Sequence, residues 1–126
     1  MEDDYEYRHL MHEGATLLLL HKKYEEAIKC FDKLIALQPN HHIAYSSKGN
    51  ALFELARYQE AIECYDKAIE LEPNEALLYT FKAEALNYLG KYQESIECCD
   101  KAIKLNHDNA FARLCKLVAL EALGKS

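Results

Sequence analysis

Apolar residues along the chain recur at steps of three and four, in short runs that come in pairs. Over residues 42–75, Tyr45, Gly49, Leu52 and Leu55 form one run; after a break, Tyr58, Ala61, Ile62, Tyr65, Ala68 and Ile69 form the next. Residues three and four apart share one face of an α-helix, so each run predicts an amphipathic helix with one buried face. The break falls at Ala56-Arg57 and again at Gly90-Lys91, where glycine suits the left-handed residue that ends a helix. Between pairs stand Pro39-Asn40 and Pro73-Asn74, proline to stop one helix and asparagine to cap the next. His107-Asp108 takes the third such place, losing the breaker but keeping an acid expected to cap.

The paired pattern copies itself. Glu-Glu-Ala-Ile-Lys-Cys-Phe-Asp-Lys-Leu-Ile (25–35) returns as Gln-Glu-Ala-Ile-Glu-Cys-Tyr-Asp-Lys-Ala-Ile (59–69) and as Gln-Glu-Ser-Ile-Glu-Cys-Cys-Asp-Lys-Ala-Ile (93–103), each copy 34 residues after the last. A fixed period of that size predicts a stacked array of supersecondary units. The chain divides into an extension of the first helix (1–7), units 8–41, 42–75 and 76–109, and a partial unit 110–126. The predicted fold class is all-α.

Composition narrows the function. Half of the 126 residues are hydrophobic and only four are Gly and two Pro, which excludes collagen-like and disordered chains. The net charge of −6 makes nucleic acid and anionic membrane surfaces poor partners. The longest apolar run, Leu17 to Leu20, is far short of the ~18 residues that span a bilayer. The start, Met1-Glu2-Asp3-Asp4-Tyr5, has no secretory pattern, no Asn-x-Ser/Thr acceptor occurs, and five cysteines make an odd count. A soluble protein of the reducing cytoplasm is expected.

These units resemble the tetratricopeptide repeat (TPR), whose pattern runs aromatic-x2-Leu-Gly-x2-aromatic, Ala-x3-aromatic, then Pro. The second unit carries Tyr45, Lys48-Gly49, Leu52, Ala61, Tyr65 and Pro73. The third keeps Tyr79 and Leu86, with Ala83 for Gly, Ser95 for Ala and Cys99 for the aromatic. In the first, Met11 stands for the aromatic and Ala15 for Gly, while Ala27, Phe31 and Pro39 hold. The resemblance implies a right-handed superhelical solenoid of antiparallel helix pairs. The first helix of each pair would line a concave groove that holds a peptide or helix of another protein. Ala110–Gly124 aligns with first helices only, as a capping helix or a truncated fourth repeat. Its apolar Leu114, Leu117, Val118 and Leu120 suggest an alternative role, self-association into a dimer or a longer superhelix.

A second stripe lies two residues away from the signature stripe on each first helix, about 200° around the axis. It comprises His9, His12, Glu13, Thr16, Leu19 and Leu20; then Ile43, Ser46, Ser47, Asn50, Phe53 and Glu54; then Leu77, Thr80, Phe81, Glu84, Asn87 and Tyr88. These columns differ from copy to copy while the packing columns stay alike, as a ligand-facing surface would, and the resemblance puts them on the concave face. Ile43, Leu77, Phe81, Tyr88 and Leu20 offer apolar anchors, and Ser46, Ser47, Asn50 and Thr80 offer hydrogen bonds.

Some family members hold acidic chaperone tails with a clamp of Lys, Arg and Asn. The corresponding His12, Thr16, Ser47, Leu77 and Phe81 lack that chemistry, so no chaperone-tail binding is expected. Cys30, Cys64 and Cys98 fall in one column of successive repeats, too far apart for a disulfide or a zinc site, and read as core thiols. His9 and His12 lack a third ligand for a metal, and Gly124-Lys125-Ser126 lacks the strand and second glycine of a phosphate loop. No catalytic group, cofactor or metal is expected.

Overall fold

The computed structural model describes residues 2–124, and the side chains from Tyr5 onward; Met1, Lys125 and Ser126, at the ends of the first and last expected units, lie outside the described residues. Seven helices follow one another: α1 (Glu2–Leu19), α2 (Tyr24–Leu37), α3 (His42–Glu54), α4 (Tyr58–Leu71), α5 (Ala76–Tyr88), α6 (Tyr92–Leu105) and α7 (Ala110–Ala122). No strand occurs among the described residues. Each helix packs on its neighbours in the chain, and α1, α3, α5 and α7 also meet in sequence, which gives a helical solenoid. The helices begin at His42, Ala76 and Ala110, where the expected units begin.

The seams are built alike in each pair. Ala27, Ile28, Phe31 and Leu34 of α2, and Ala61, Ile62, Tyr65 and Ala68 of α4, are buried against first helices. Tyr65 lies over Gly49, where an added Cβ would stand 2.6 Å from its ring. Phe31 lies in the same way over Gly14, at 2.7 Å. In the third pair Cys99 replaces the ring and Ala83 the glycine, both fully buried, so a smaller knob meets a larger floor.

Gly14 corrects the register of the first repeat. Gly49 precedes Tyr65 by 16 residues, whereas Gly14 precedes Phe31 by 17, so α1 is displaced by one residue from the 34-residue alignment. The cause is an extra residue in the α1–α2 turn. There the Lys23 N–H reaches back six residues to the Leu17 carbonyl (2.8 Å); Arg57 and Lys91 reach back five, to Leu52 and Leu86. Leu10 and Gly14 therefore occupy the packing columns assigned to Met11 and Ala15, and Leu10 is buried beside Phe31 and Leu34. The turns themselves are alike, with Lys22, Ala56 and Gly90 at φ of 53°, 60° and 76°.

The caps also differ from expectation. Asn40, Asn74 and Asp108 stop short of the cap position, which His41, Glu75 and Asn109 occupy. His41 Nδ1 accepts the Ala44 N–H at 3.3 Å and Asn109 Oδ1 accepts that of Ala112 at 3.0 Å; Glu75 makes no such bond. The turns before them are tied from the other side. Tyr45 and Tyr79 donate their hydroxyls to the carbonyls of Pro39 (2.9 Å) and Pro73 (2.8 Å), and Arg113 reaches the His107 carbonyl in the same column.

One feature escaped sequence reasoning. Lys48–Asp32 (2.7 Å), Lys82–Asp66 (2.6 Å) and Lys116–Asp100 (2.7 Å) form a ladder, each lysine bridging to the second helix of the preceding pair. Asp and Lys columns that both recur every 34 residues, 16 apart, carried the signal.

Candidate functional site

The first helices turn their remaining face to a common concavity. A cavity of about 420 Å³ is lined by Leu18 and Leu19 of α1, Asn50, Phe53 and Glu54 of α3, and Phe81 and Glu84 of α5. Lys22, Tyr24 and Tyr65 complete its wall. A second cavity of about 390 Å³ lies further along, between Glu84, Asn87 and Tyr88 of α5, Tyr92, and Phe111, Leu114, Cys115, Val118 and Ala122 of α7. An aromatic ridge stands between them. Tyr58 and Tyr88 stack at 4.9 Å, and Phe53 sets its edge against both at 5.3 and 5.4 Å.

Most of the expected stripe is brought together here. Asn50, Glu54, Phe81, Glu84 and Tyr88 line the cavities, and Ile43, Leu77 and Tyr88 remain 44%, 46% and 63% exposed. Ser46 and Ser47 are half-buried, and the Ser46 hydroxyl is already donated to the Ile43 carbonyl at 3.1 Å.

Two corrections follow. Thr80 is fully buried: its hydroxyl donates to the Ala76 carbonyl and accepts from Asn109 Nδ2, both at 3.2 Å, so no ligand reaches it. The asparagine that caps α7 covers it. In α1 the one-residue displacement moves the stripe to Arg8, Met11, His12, Ala15, Leu18 and Leu19. His12 stays on it, whereas His9, Thr16 and Leu20 leave it, and Leu18 and Leu19 line the cavity in their place. His9 instead stacks on Tyr5 and faces Glu13 at 3.5 Å, and Leu20 stands exposed in the turn. The signal that placed α1 correctly was Gly14 itself.

The residues considered for self-association separate. Leu114 and Val118 line the second cavity, on the same inner face as the stripe. Leu117 stands in the column of Gly49 and Ala83 and is 47% exposed, and Leu120 is half-buried.

Electrostatics distinguish the inner face from the seams. Burial, and then the charge of Glu54, hold the Glu84 carboxyl above the usual carboxylate range. Burial pushes the Cys99 thiol up to about 11 and the Cys115 thiol up to about 12, so neither is a thiolate at neutral pH. All five cysteines are free thiols, and no group of three His, Cys, Asp or Glu suited to a metal occurs among the described residues. The arrangement offers shape, apolar surface and acceptors: it is equipped to bind.

Family models described as tetratricopeptide repeat match residues 15–41, 42–75 and 76–109. The chain belongs to the tetratricopeptide repeat family. Among solved structures it is similar to the first TPR of Spaghetti (RPAP3) bound to the HSP90 peptide SRMEEVD, with a TM-score of 0.91 at 22% identity over 95% of this chain and 94% of that one. It is also similar to the TPR2B domain of yeast Sti1 in its pHsp70 complex (0.84, 25%, 97% and 99%) and to MamA (0.89, 24%, 94% and 69%). No curated protein matches the chain. As a TPR domain it places its first helices inside and its second helices outside, which accounts for one face that repeats and one that varies.

Proposed function

We propose that this TPR domain is a scaffold that holds a peptide or helix of a partner protein against its inner face. The observation that carries the proposal is the set of Ile43, Leu77 and Tyr88, large apolar side chains left exposed beside two cavities while the packing columns are filled. Similar TPR domains, in RPAP3 and Sti1, are seen with chaperone peptides, which supports peptide binding as the use of this architecture. The ligand differs. In the corrected register the five clamp positions are Met11, Ala15, Ser47, Leu77 and Phe81, none of them charged, so an acidic chaperone tail finds no cation there. The peptide SRMEEVD is expected to bind no tighter than about 1 μM by fluorescence polarisation; clear submicromolar binding overturns that exclusion.

The test of the groove pairs Ile43→Asp with Leu77→Asp. Both side chains are exposed, so helical content stays intact while capture of peptide or protein partners falls at least ~10-fold; unchanged capture counts against the groove. The free thiols suit a reducing compartment such as the cytoplasm.

A second reading rests on Leu117. No helix of the described residues covers the column that second helices cover elsewhere, and a copy of the chain stacking there would bury it. A strict monomer by light scattering across a concentration range removes this reading.

A further inference from the structure

The inner face is short of hydrogen-bond donors. Glu54 and Glu84 come from adjacent first helices, line one cavity, and form no ion pair among the described residues. Lys22 lines the same cavity without coming within ion-pair distance of either. Asn87 lines the neighbouring cavity with Glu84; its Nδ2 donates to the Cys115 carbonyl, and its Oδ1 is a buried acceptor with no partner. Asn50 Oδ1 already accepts the Tyr65 hydroxyl at 2.7 Å. The acids of the outer seam are different: Asp32, Asp66 and Asp100 each have a lysine. The excess negative charge on the concave side is thus the unneutralised part.

We infer that the cavity receives an arginine side chain of the bound partner, its guanidinium held by Glu54 and Glu84 and lying against the rings of Phe53 and Phe81. The inference rests on the groove reading above and names the chemistry of the occupant. A guanidinium brings five donors in a planar fork to a site that has acceptors, and its faces stack on aromatic rings; an ammonium is compact and does neither. Cations are drawn to aromatic faces, and Phe53 and Phe81 supply two in the same wall as the carboxylates. The two glutamates also raise each other's cost of ionisation, which a shared cation removes.

The test selects dodecapeptides from a random phage-displayed library on the full chain and measures synthetic copies by fluorescence polarisation. The selected peptides are expected to carry arginine. Replacing it by citrulline, which keeps the shape and loses the charge, weakens binding at least ~10-fold. A Glu54→Gln/Glu84→Gln double variant of unchanged thermal melting loses the same factor and no longer distinguishes arginine from citrulline. Glu54→Gln alone, at an exposed site, reports part of the loss should the double variant melt early. Peptides that need Leu77 yet lack arginine, or are indifferent to citrulline, overturn the inference and leave the groove reading standing. A library that yields no binder sensitive to Leu77→Asp overturns both.

Discussion

The seams between helices and the inner face are carried by the same first helices, and they are composed under different rules. At the seam each repeat poses one packing problem, and the answers are interchangeable: Phe31 on Gly14, Tyr65 on Gly49, Cys99 against Ala83, with an Asp–Lys bridge at each step outward. On the inner face the corresponding positions are Arg8, Ile43, Leu77 and Phe111 in one column and Ala15, Asn50, Glu84 and Val118 in another. A seam has to match its neighbour, which resembles itself; the inner face has to match something else. The difference teaches that in this chain sameness marks stability and variation marks recognition.

The largest expected effect tests the seam. Gly49→Leu drives a side chain into the Tyr65 ring, which is fully buried and has nowhere to move. Overpacking of this kind costs about 3 kcal/mol, read as a fall in urea midpoint without loss of slope. A variant of unchanged stability would show that the close approach at Gly49 is not what fixes the pair. The inner face predicts the reverse profile. Leu77→Asp leaves the urea midpoint within about 0.5 kcal/mol of the parent, because nearly half of the side chain is already in water, while ligand binding collapses. The neighbouring Phe81 is a poorer probe than its place in the sequence suggests, since its ring also leans on Tyr65 at 5.7 Å and a charge there would disturb the seam.

The sequence made the repeat legible because the second helices are nearly identical, and their 34-residue spacing places α3, α5 and α7 to the residue. It misplaced α1 because that spacing says nothing about a residue inserted between the two helices of one pair. Only contact between Gly14 and Phe31 shows the shift, and with it Leu18 and Leu19 enter the cavity in place of Leu20. Thr80 was misjudged for a related reason. Its column faces inward in α3, but in α5 the Asn109 side chain closes over it, a tertiary contact with no local signature. The charge ladder was legible in principle and was overlooked because Asp and Lys were each read as solvated surface.

A smaller effect is expected from that ladder. Burial pulls the Lys82 ammonium down, but the hydrogen bond and charge of Asp66 outweigh it and hold it above its ordinary value. A group raised in this way contributes its full stabilisation below the ordinary lysine range and loses it as the pH climbs through the folded value, so the bridge is intact at neutral pH. Lys82→Met is expected to cost about 0.5 kcal/mol, less in high salt, because both partners are partly solvated. The adjacent Lys67→Met, which breaks only a 3.7 Å pair within one helix, should cost less still; equal losses would deny the ladder any special part in joining repeats.

The smallest effect lies in the turns, where the chain reaches one shape with three different residues. Lys22, Ala56 and Gly90 all adopt the left-handed conformation, and a side chain built on Gly90 would meet nothing within 4 Å. At such a turn the difference between residues is therefore conformational and not steric against neighbours. An alanine in the left-handed region carries a local penalty of about 1 kcal/mol, and glycine removes it while giving up more freedom on folding, which recovers part of that sum in the opposite direction. Ala56→Gly is accordingly expected to raise stability by about 0.5 kcal/mol, and Gly90→Ala to lower it by a similar amount, both by urea titration. If the two substitutions move stability in the same direction, the turns are not equivalent, and the packing around each pair reaches further into its turn than the shared geometry implies.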